Sequence, residues 1–344
     1  MNRFQCFLLK ITSFFLGFYS SSRGSFEITV AFVEGYKNNI IMLAQQKESR
    51  LFSKARQETQ SSKADFYERV GVVDAQEILT RHGDTPILNT PHSRRMNTLR
   101  DAEYGDMIDK MDRVRLLINP DDAYVQAAVM SLNRFKDDRF IESALGSARA
   151  GEDGSTIVAL PDTQKLACFD SAGTTTGVGL TVETIIACGG KYDANDVDES
   201  IKKYWAWTNK QKQNLMNLTK ATSSDFVSVQ ALTTGKISEF YGFDFVRSER
   251  LPISNPGGAL AYNEFNGGVG SELGAGVGSL PTGQGRSNIT WAEDGMLSAT
   301  GVDIFARIAE RTDKRFGTQI YAAESVGCTR LEEEKVVEVI CFEA

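Results

Sequence analysis

Glu310-Arg-Thr-Asp-Lys-Arg-Phe-Gly-Thr-Gln-Ile-Tyr321, followed by Ser325-Val-Gly-Cys-Thr-Arg-Leu-Glu-Glu-Glu-Lys-Val-Val-Glu-Val-Ile-Cys-Phe-Glu-Ala344, closes the chain. Charged residues interleave here with β-branched ones, and turn residues are scarce. Such a pattern predicts strands with polar edges. None of its residue types forms a catalytic set. A charged, strand-forming chain end suits a protein that pairs with copies of itself, and points away from enzymes and toward assembly.

The rest of the composition agrees. The 344 residues suffice for one large domain or a few lobes, and 41% apolar with 24% charged residues is ordinary for a folded protein. The net charge of −7 argues against a protein that grips nucleic-acid phosphates, because such binding runs on cationic neutralisation. It is compatible with a wall to which nucleic acid must not adhere. Cys6, Cys168, Cys188, Cys328 and Cys341 are scattered without CxxC spacing, and neither His82 nor His92 lies near one. Reduced, buried thiols in a cytosolic compartment are therefore expected, not a zinc site.

Residues 1–24 carry Arg3, Lys10 and a run of phenylalanines and leucines, with no acidic residue before Glu27. They resemble a weak signal peptide, but Lys10 interrupts an apolar run too short to span a bilayer. The alternative expectation for residues 1–30 is an extension that is disordered or set by a start placed too far upstream, with Val30 as the natural beginning.

Residues 35–65 are polar and helix-prone, relieved by Ile40, Ile41, Leu43, Ala44, Leu51, Phe52 and Ala55. They read as a linker or as an arm docking on something else. Phe66, Val70, Val72 and Val73 predict a short strand. The Gly-Asp and Thr-Pro steps of Thr80–Arg95 predict an extended excursion with turns. Asn119 as N-cap, Pro120, and Val125, Ala128, Leu132 and Phe135 at helical spacing predict a long helix ending at Gly151, about 45 Å long, with a bend at Lys136-Asp137-Asp138. Helices are expected at 180–187 and 211–218, strands at 203–208, and a strand pair turning at Gly242. The ten glycines of residues 256–286 read as a mobile loop. Residues 287–344 return to strands, with a short helical piece near Val302–Glu310.

No catalytic motif emerges. Gly268-Val-Gly-Ser-Glu-Leu-Gly274 lacks the strand and helix that a dinucleotide site requires, and Gly189-Gly190-Lys191 is followed by Tyr192. His82 and His92, near Asp84 and Ser93, make no triad by proximity alone; bonding to turn backbones or a neighbouring subunit is the better reading. Arg94, Arg95 and Arg100, with the acidic residues 101–112 after them, are either a solvated surface or charge matching across a subunit boundary.

Four motifs in order resemble one family. They are Arg81-His-Gly-Asp-Thr-Pro86 with Pro91-His-Ser-Arg-Arg95; Ser248-Glu-Arg-Leu-Pro252; Glu310-Arg-Thr-Asp-Lys314 with Thr318-Gln-Ile-Tyr321; and Thr329-Arg-Leu-Glu-Glu-Glu-Lys-Val-Val337. The chain over 31–344 resembles the major capsid proteins of tailed bacteriophages, with the Hong Kong 97-like fold. The extension 1–30 and the long glycine-rich loop depart from the pattern. The resemblance implies an α+β fold. Residues 31–65 would be an N-terminal arm and 66–118 an extended loop overlapping the next subunit. Residues 119–170 and 305–344 would form a peripheral domain around a spine helix, with Val336, Val337, Val339 and Ile340 beside it, and 171–304 an axial domain. The function implied is a non-enzymatic subunit assembling through pentamers and hexamers into an icosahedral head around double-stranded DNA. Portal, scaffolding and decoration proteins are the implied partners; no cofactor, metal or membrane is. Assembly would take place in the host cytoplasm. Arg94, Arg95, Arg311, Asp313, Lys314, Arg330 and Glu332 are the candidate inter-subunit contacts. A nanocompartment shell, told apart by an enzyme cargo, and a secreted binding protein, told apart by cleavage near Ser22, are the alternatives.

Overall fold

In the computed structural model, described over residues 45–77, 81, 87–108, 121–169, 178–217, 239–254 and 285–343, the strands form three sheets against which the helices pack. The strands, in chain order, are β1 (Arg56–Thr59), β2 (Ala64–Val70), β3 (His92–Thr98), β4 (Arg100–Ile108), β5 (Ala148–Ala150), β6 (Thr156–Val158), β7 (Lys165–Ala167), β8 (Lys203–Trp207), β9 (Glu239–Phe240), β10 (Phe243–Arg247), β11 (Ile253–Ser254), β12 (Gly285–Ala292), β13 (Met296–Arg311), β14 (Gly317–Arg330) and β15 (Val336–Phe342). The helices are α1 (Asp121–Leu145), α2 (Val182–Ala194) and α3 (Asn209–Asn217).

The quoted C-terminal stretch supplies the longest strand pair. β13 and β14 run antiparallel from Met296↔Arg330 to Arg311↔Gly317, reversing through Arg315 and Phe316 in left-handed conformation. β4 pairs with β14 and β1 runs parallel to β13, giving the order β1-β13-β14-β4. The helical piece expected near Val302–Glu310 is part of β13. Its apolar residues fit either period in so short a window, and pairing with β14 satisfies the backbone groups that a lone helical turn would leave open.

α1 crosses this sheet, burying Ala128 and Leu132 against Ala322. Its 25 residues correspond to about 38 Å. The helix stops at Gly146, not Gly151. The Gly146 N–H bonds Glu142 O at 2.8 Å, and a Cβ there would lie 2.5 Å from that oxygen. Lys136-Asp137-Asp138 stays helical; these side chains have partners on neighbouring segments instead of solvent. Asp137 is buried and accepts from the N–H groups of Arg50 and Leu51, from Ser49 Oγ and from Gln46 Nε2. Residues 46–59 are therefore no free linker. Leu51 and Ala55 enter a core with Phe140, Ile141, Ala144 and Trp291, Phe52 is buried beside them, and Trp291 Nε1 donates to Lys54 O. Three apolar residues suffice because a ready-made core receives them.

The seven-stranded sheet has the order β7-β15-β12-β8-β10-β9, with β11 on β12. α2, capped by the Thr181 hydroxyl on the Thr184 N–H, covers one face, and Trp205, Phe243, Val337, Val339 and Cys341 fill the core beneath. The C-terminal part of α1 covers the other face with Val336, Ile289 and Tyr204. The last strand thus differs from expectation. β15 sits inside the sheet built from 203–207, 243–247 and 285–292; strand alternation puts Val337, Val339 and Cys341 under α2, and Val336 enters the core shared with the spine helix. β13 likewise continues past the expected boundary at 304/305, with register shifts against β14 between Thr300 and Phe305. The cysteines are not all alike: Cys168 and Cys341 are joined in this structure, while Cys188 and Cys328 are free.

β2 and β3 form the extended hairpin, from Ala64↔Thr98 to Val70↔His92, and continue into β5 and β6. The turn at Gly242 is present, with Tyr241 and Gly242 both at positive φ. Asn119, Pro120, His82, Asp84 and nearly all of the glycine-rich loop lie outside the described residues. Among the described residues no helix is long and apolar enough to cross a membrane.

Candidate assembly site: the charge lock at the base of the extended hairpin

The hairpin leaves the body where β3 meets β14. The approach is close: a Cβ on Gly327 would fall 2.7 Å from Asn97 Nδ2 and 2.9 Å from Thr98 O. Asn97 is buried and donates to Gln60 Oε1 at 2.8 Å. Beside it, three guanidinium groups surround one carboxylate. Arg95 bonds Glu333 directly, Arg330 Nε lies 3.5 Å from the same carboxylate, and Arg69 Nη1 lies 3.6 Å away. Arg69 and Arg95 also donate to Leu331 O, at 2.5 and 3.3 Å.

Arg330, fully buried, has a further task. Its Nη1 donates to Ala144 O and Gly146 O, both at 2.8 Å, and Nη2 donates to Val158 O at 3.1 Å. A cation thus satisfies carbonyls at the C-terminal end of α1, where the helix dipole favours positive charge. Burial pushes both Arg95 and Arg330 below the usual arginine range, and Glu333 opposes that shift. One cluster therefore ties together the hairpin, the spine-helix terminus, β6 and the turn before β15.

The expected contact residues separate into two groups. Arg95 and Arg330 lie inside the subunit with intrachain partners, which corrects their expected place at a subunit boundary. A planar, always-charged fork suits buried carbonyl and carboxylate acceptors. Glu332 faces outward and meets Lys335 at 3.1 Å, which also reaches Asp294 at 2.7 Å. Arg94 pairs across the hairpin with Glu68 at 2.7 Å, on the exposed face. Arg311 grips Asp313 through Nε and Nη2, at 2.9 and 3.0 Å, and reaches Gln319 at 3.0 Å, all at the exposed tip of the β13–β14 tongue. The Arg311 hydrogen bonds hold the Asp313 carboxyl down at about 2. Lys314 is exposed beside them. Sequence reading missed Arg69 and Asp137 and did not single out Glu333. In a run of three glutamates, only the path of the turn between β14 and β15 tells which one points inward.

A second buried pair joins α1 to β14. Lys136 Nζ lies 3.2 Å from Glu324 Oε2 and 4.0 Å from Asp303. Burial raises the Glu324 carboxyl above its ordinary value of 4.5, Lys136 lowers it, and Asp303 raises it again. A raised value means that its contribution to stability is full below about 4.5 and is lost as pH rises through the folded-state value. Lys136→Met removes the opposing cation. The substitution is expected to cost about 3–5 kcal/mol at pH 8 and distinctly less at pH 5, because burial without the cation favours the protonated carboxyl. Urea unfolding at the two pH values checks this; an equal cost at both would refute it.

Comparison with known proteins places this architecture. A family profile described as phage capsid protein matches residues 28–343. Sequence comparison with curated proteins returns no match. Among solved structures, the capsid of cyanophage P-SCSP1u superposes with a TM-score of 0.66 at 14% identity, covering 92% of this chain and 95% of that one. The capsid of Helicobacter pylori bacteriophage KHP30 gives 0.66 at 10% identity, covering 93% and 98%. That of Ralstonia phage GP4 gives 0.62 at 10% identity, covering 91% and 96%. At such identities the superpositions establish a shared fold, the Hong Kong 97-like α+β architecture. With the profile spanning nearly its whole length, the chain belongs to the phage capsid protein family.

Proposed function

We propose that this chain forms the head of a tailed, double-stranded DNA phage by assembling through pentamers and hexamers, with its two projecting hairpins making the contacts between subunits. The observation that carries this reading is the exposed apolar surface on those projections. Val70, Val72 and Ile87 of the extended hairpin are 67%, 93% and 91% exposed. Phe305, Ile308 and Phe316 of the tongue are also exposed. Hairpins this thin bury too little alone and gain their burial from neighbours. Arg94 with Glu68, and Arg311 with Asp313 and Lys314, give the same projections alternating charge that sets register between copies. Glu332 rims the turn beside the lock. Head-to-tail contacts of this kind close into rings, and rings tile a shell.

In this reading the chain has no catalytic role. It is assembled in the host cytoplasm with a portal and with scaffolding or decoration proteins, and its net charge of −7 keeps packaged DNA from adhering to the inner wall. Electron microscopy of the expressed full-length chain tests the proposal. Closed, regular shells are the expected result, and a stable monomer at high concentration would overturn it. Shells filled with an enzyme instead of a genome in the native host would replace the phage head by a storage compartment.

A further inference from the structure

Cys168, Cys188 and Cys341 share the core beneath α2. Cys168 follows β7, and Cys341 lies in β15. The parallel pairing of these strands, extended by the bond from Cys168 N–H to Ile340 O at 2.9 Å, sets the two residues side by side. Their Cα atoms are 5.2 Å apart, within the span a disulfide bridges. The sequence separation is 173 residues, so the bond closes a loop holding α2, α3 and every strand from β8 to β14. Cys188 stays outside this pairing. It contacts Thr290 Oγ1 at 3.4 Å, and burial pushes its thiol up to about 12, leaving it a poor attacking group.

The pair also has a route of access. β7 is an edge strand of three residues whose ladder partner is β15. Short edge strands open locally at far lower cost than interior ones. Fraying of β7 uncovers Cys168 while β15 stays paired with β12.

We propose that Cys168 and Cys341 are a redox-closed staple: two thiols while the subunit folds and assembles in a reducing cytoplasm, and a disulfide once the particle meets an oxidising medium. The inference rests on the reading of the chain as a shell subunit assembled inside a cell. Closure proceeds by exchange with a low-molecular-weight disulfide. The Cys168 thiolate attacks one of its sulfurs, and the other sulfur leaves as a thiolate that takes up the proton lost by Cys168. The Cys341 thiolate then attacks the Cys168 sulfur of the mixed disulfide, and the second small thiol leaves with the proton of Cys341. The protein loses two electrons and two protons, and the small disulfide gains both. The closed staple constrains the unfolded chain over a long loop and pins β7 to the last strand.

The test uses the full-length chain expressed in bacterial cytoplasm. Cells are quenched with an alkylating agent before lysis, and the peptide linking Cys168 to Cys341 is quantified by mass spectrometry. Fewer than about one molecule in ten should carry the link at that stage. After purified particles are incubated with oxidised glutathione, most should carry it. The melting midpoint should then rise on the order of 5 °C and fall back on adding dithiothreitol. Cys168→Ala and Cys341→Ala should lose this redox-dependent shift, while Cys188→Ala should keep it whatever its absolute midpoint. A link already present in most quenched molecules, its absence after oxidation, or an undiminished shift in Cys168→Ala would overturn the staple. Shell formation is scored separately by microscopy. Its absence would count against the proposed function, while the link is still read on whatever oligomer is purified.

Discussion

A chain ending at Arg330, without residues 331–344, is expected to yield neither shells nor a folded subunit. The deletion removes β15, which lies between β7 and β12 inside the seven-stranded sheet. Its ladder with β12 runs from Gly285↔Phe342 to Trp291↔Val336, and β7 pairs with no other strand among the described residues. Val336, Val337, Val339, Ile340 and Cys341 are all buried. Each such aliphatic side chain stabilises the fold by about 1.5–3 kcal/mol, so their sum rivals the whole net stability of a typical domain, about 5–15 kcal/mol. The cut also takes away Glu333 and the Leu331 carbonyl, leaving the guanidinium groups of Arg69 and Arg95 without their acceptors. Sedimentation and negative-stain microscopy of the truncated protein check this, and intact shells would show that the strand is dispensable.

Glu333→Ala is expected to be the most damaging single substitution at the hairpin base, costing about 3–5 kcal/mol. The loss exceeds that of one ion pair because three cations converge on this carboxylate, two of them, Arg95 and Arg330, buried. Removing it leaves buried positive charge uncompensated. Glu332→Ala, one residue away, is the control. Its partner Lys335 also reaches Asp294 and the pair is partly exposed, so its cost should stay below about 1 kcal/mol. Combining Glu333→Leu with Arg95→Met should recover part of the loss, since an apolar replacement of both partners removes the desolvation cost with the attraction. Urea unfolding of the four proteins, with shell yield by microscopy, measures the series. Equal costs for Glu333→Ala and Glu332→Ala would refute the lock.

Much of this was legible without coordinates. The long helix followed from Val125, Ala128, Leu132 and Phe135, and the turn at Gly242 from its glycine between two apolar runs. The strand character of the last residues followed from alternating valines. The end of α1 was misplaced because Gly146 and Gly151 are equally good local stop signals, and only the contact of Gly146 with Glu142 O decides between them. The docking of residues 46–59 was not legible either, because Leu51, Phe52 and Ala55 look like a sparse apolar set until Phe140, Ile141 and Trp291 are seen to receive them.

The sequence by itself determined the class of molecule through four ordered motifs that resemble the tailed-phage capsid proteins, since such motifs are matters of residue type and short spacing. The tertiary structure alone decided which charges are spent inside the subunit and which stay outside. Arg94 and Arg95 are adjacent in sequence, yet strand alternation turns one to the surface and the other into the lock. The turn between β14 and β15 likewise leaves Glu332 outside and brings Glu333 inside, and sheet order joins Cys168 to Cys341 while Cys188 remains free. Periodicity is a local quantity, whereas partners 173 or 238 residues apart are chosen by sheet order and register, which no window of sequence contains.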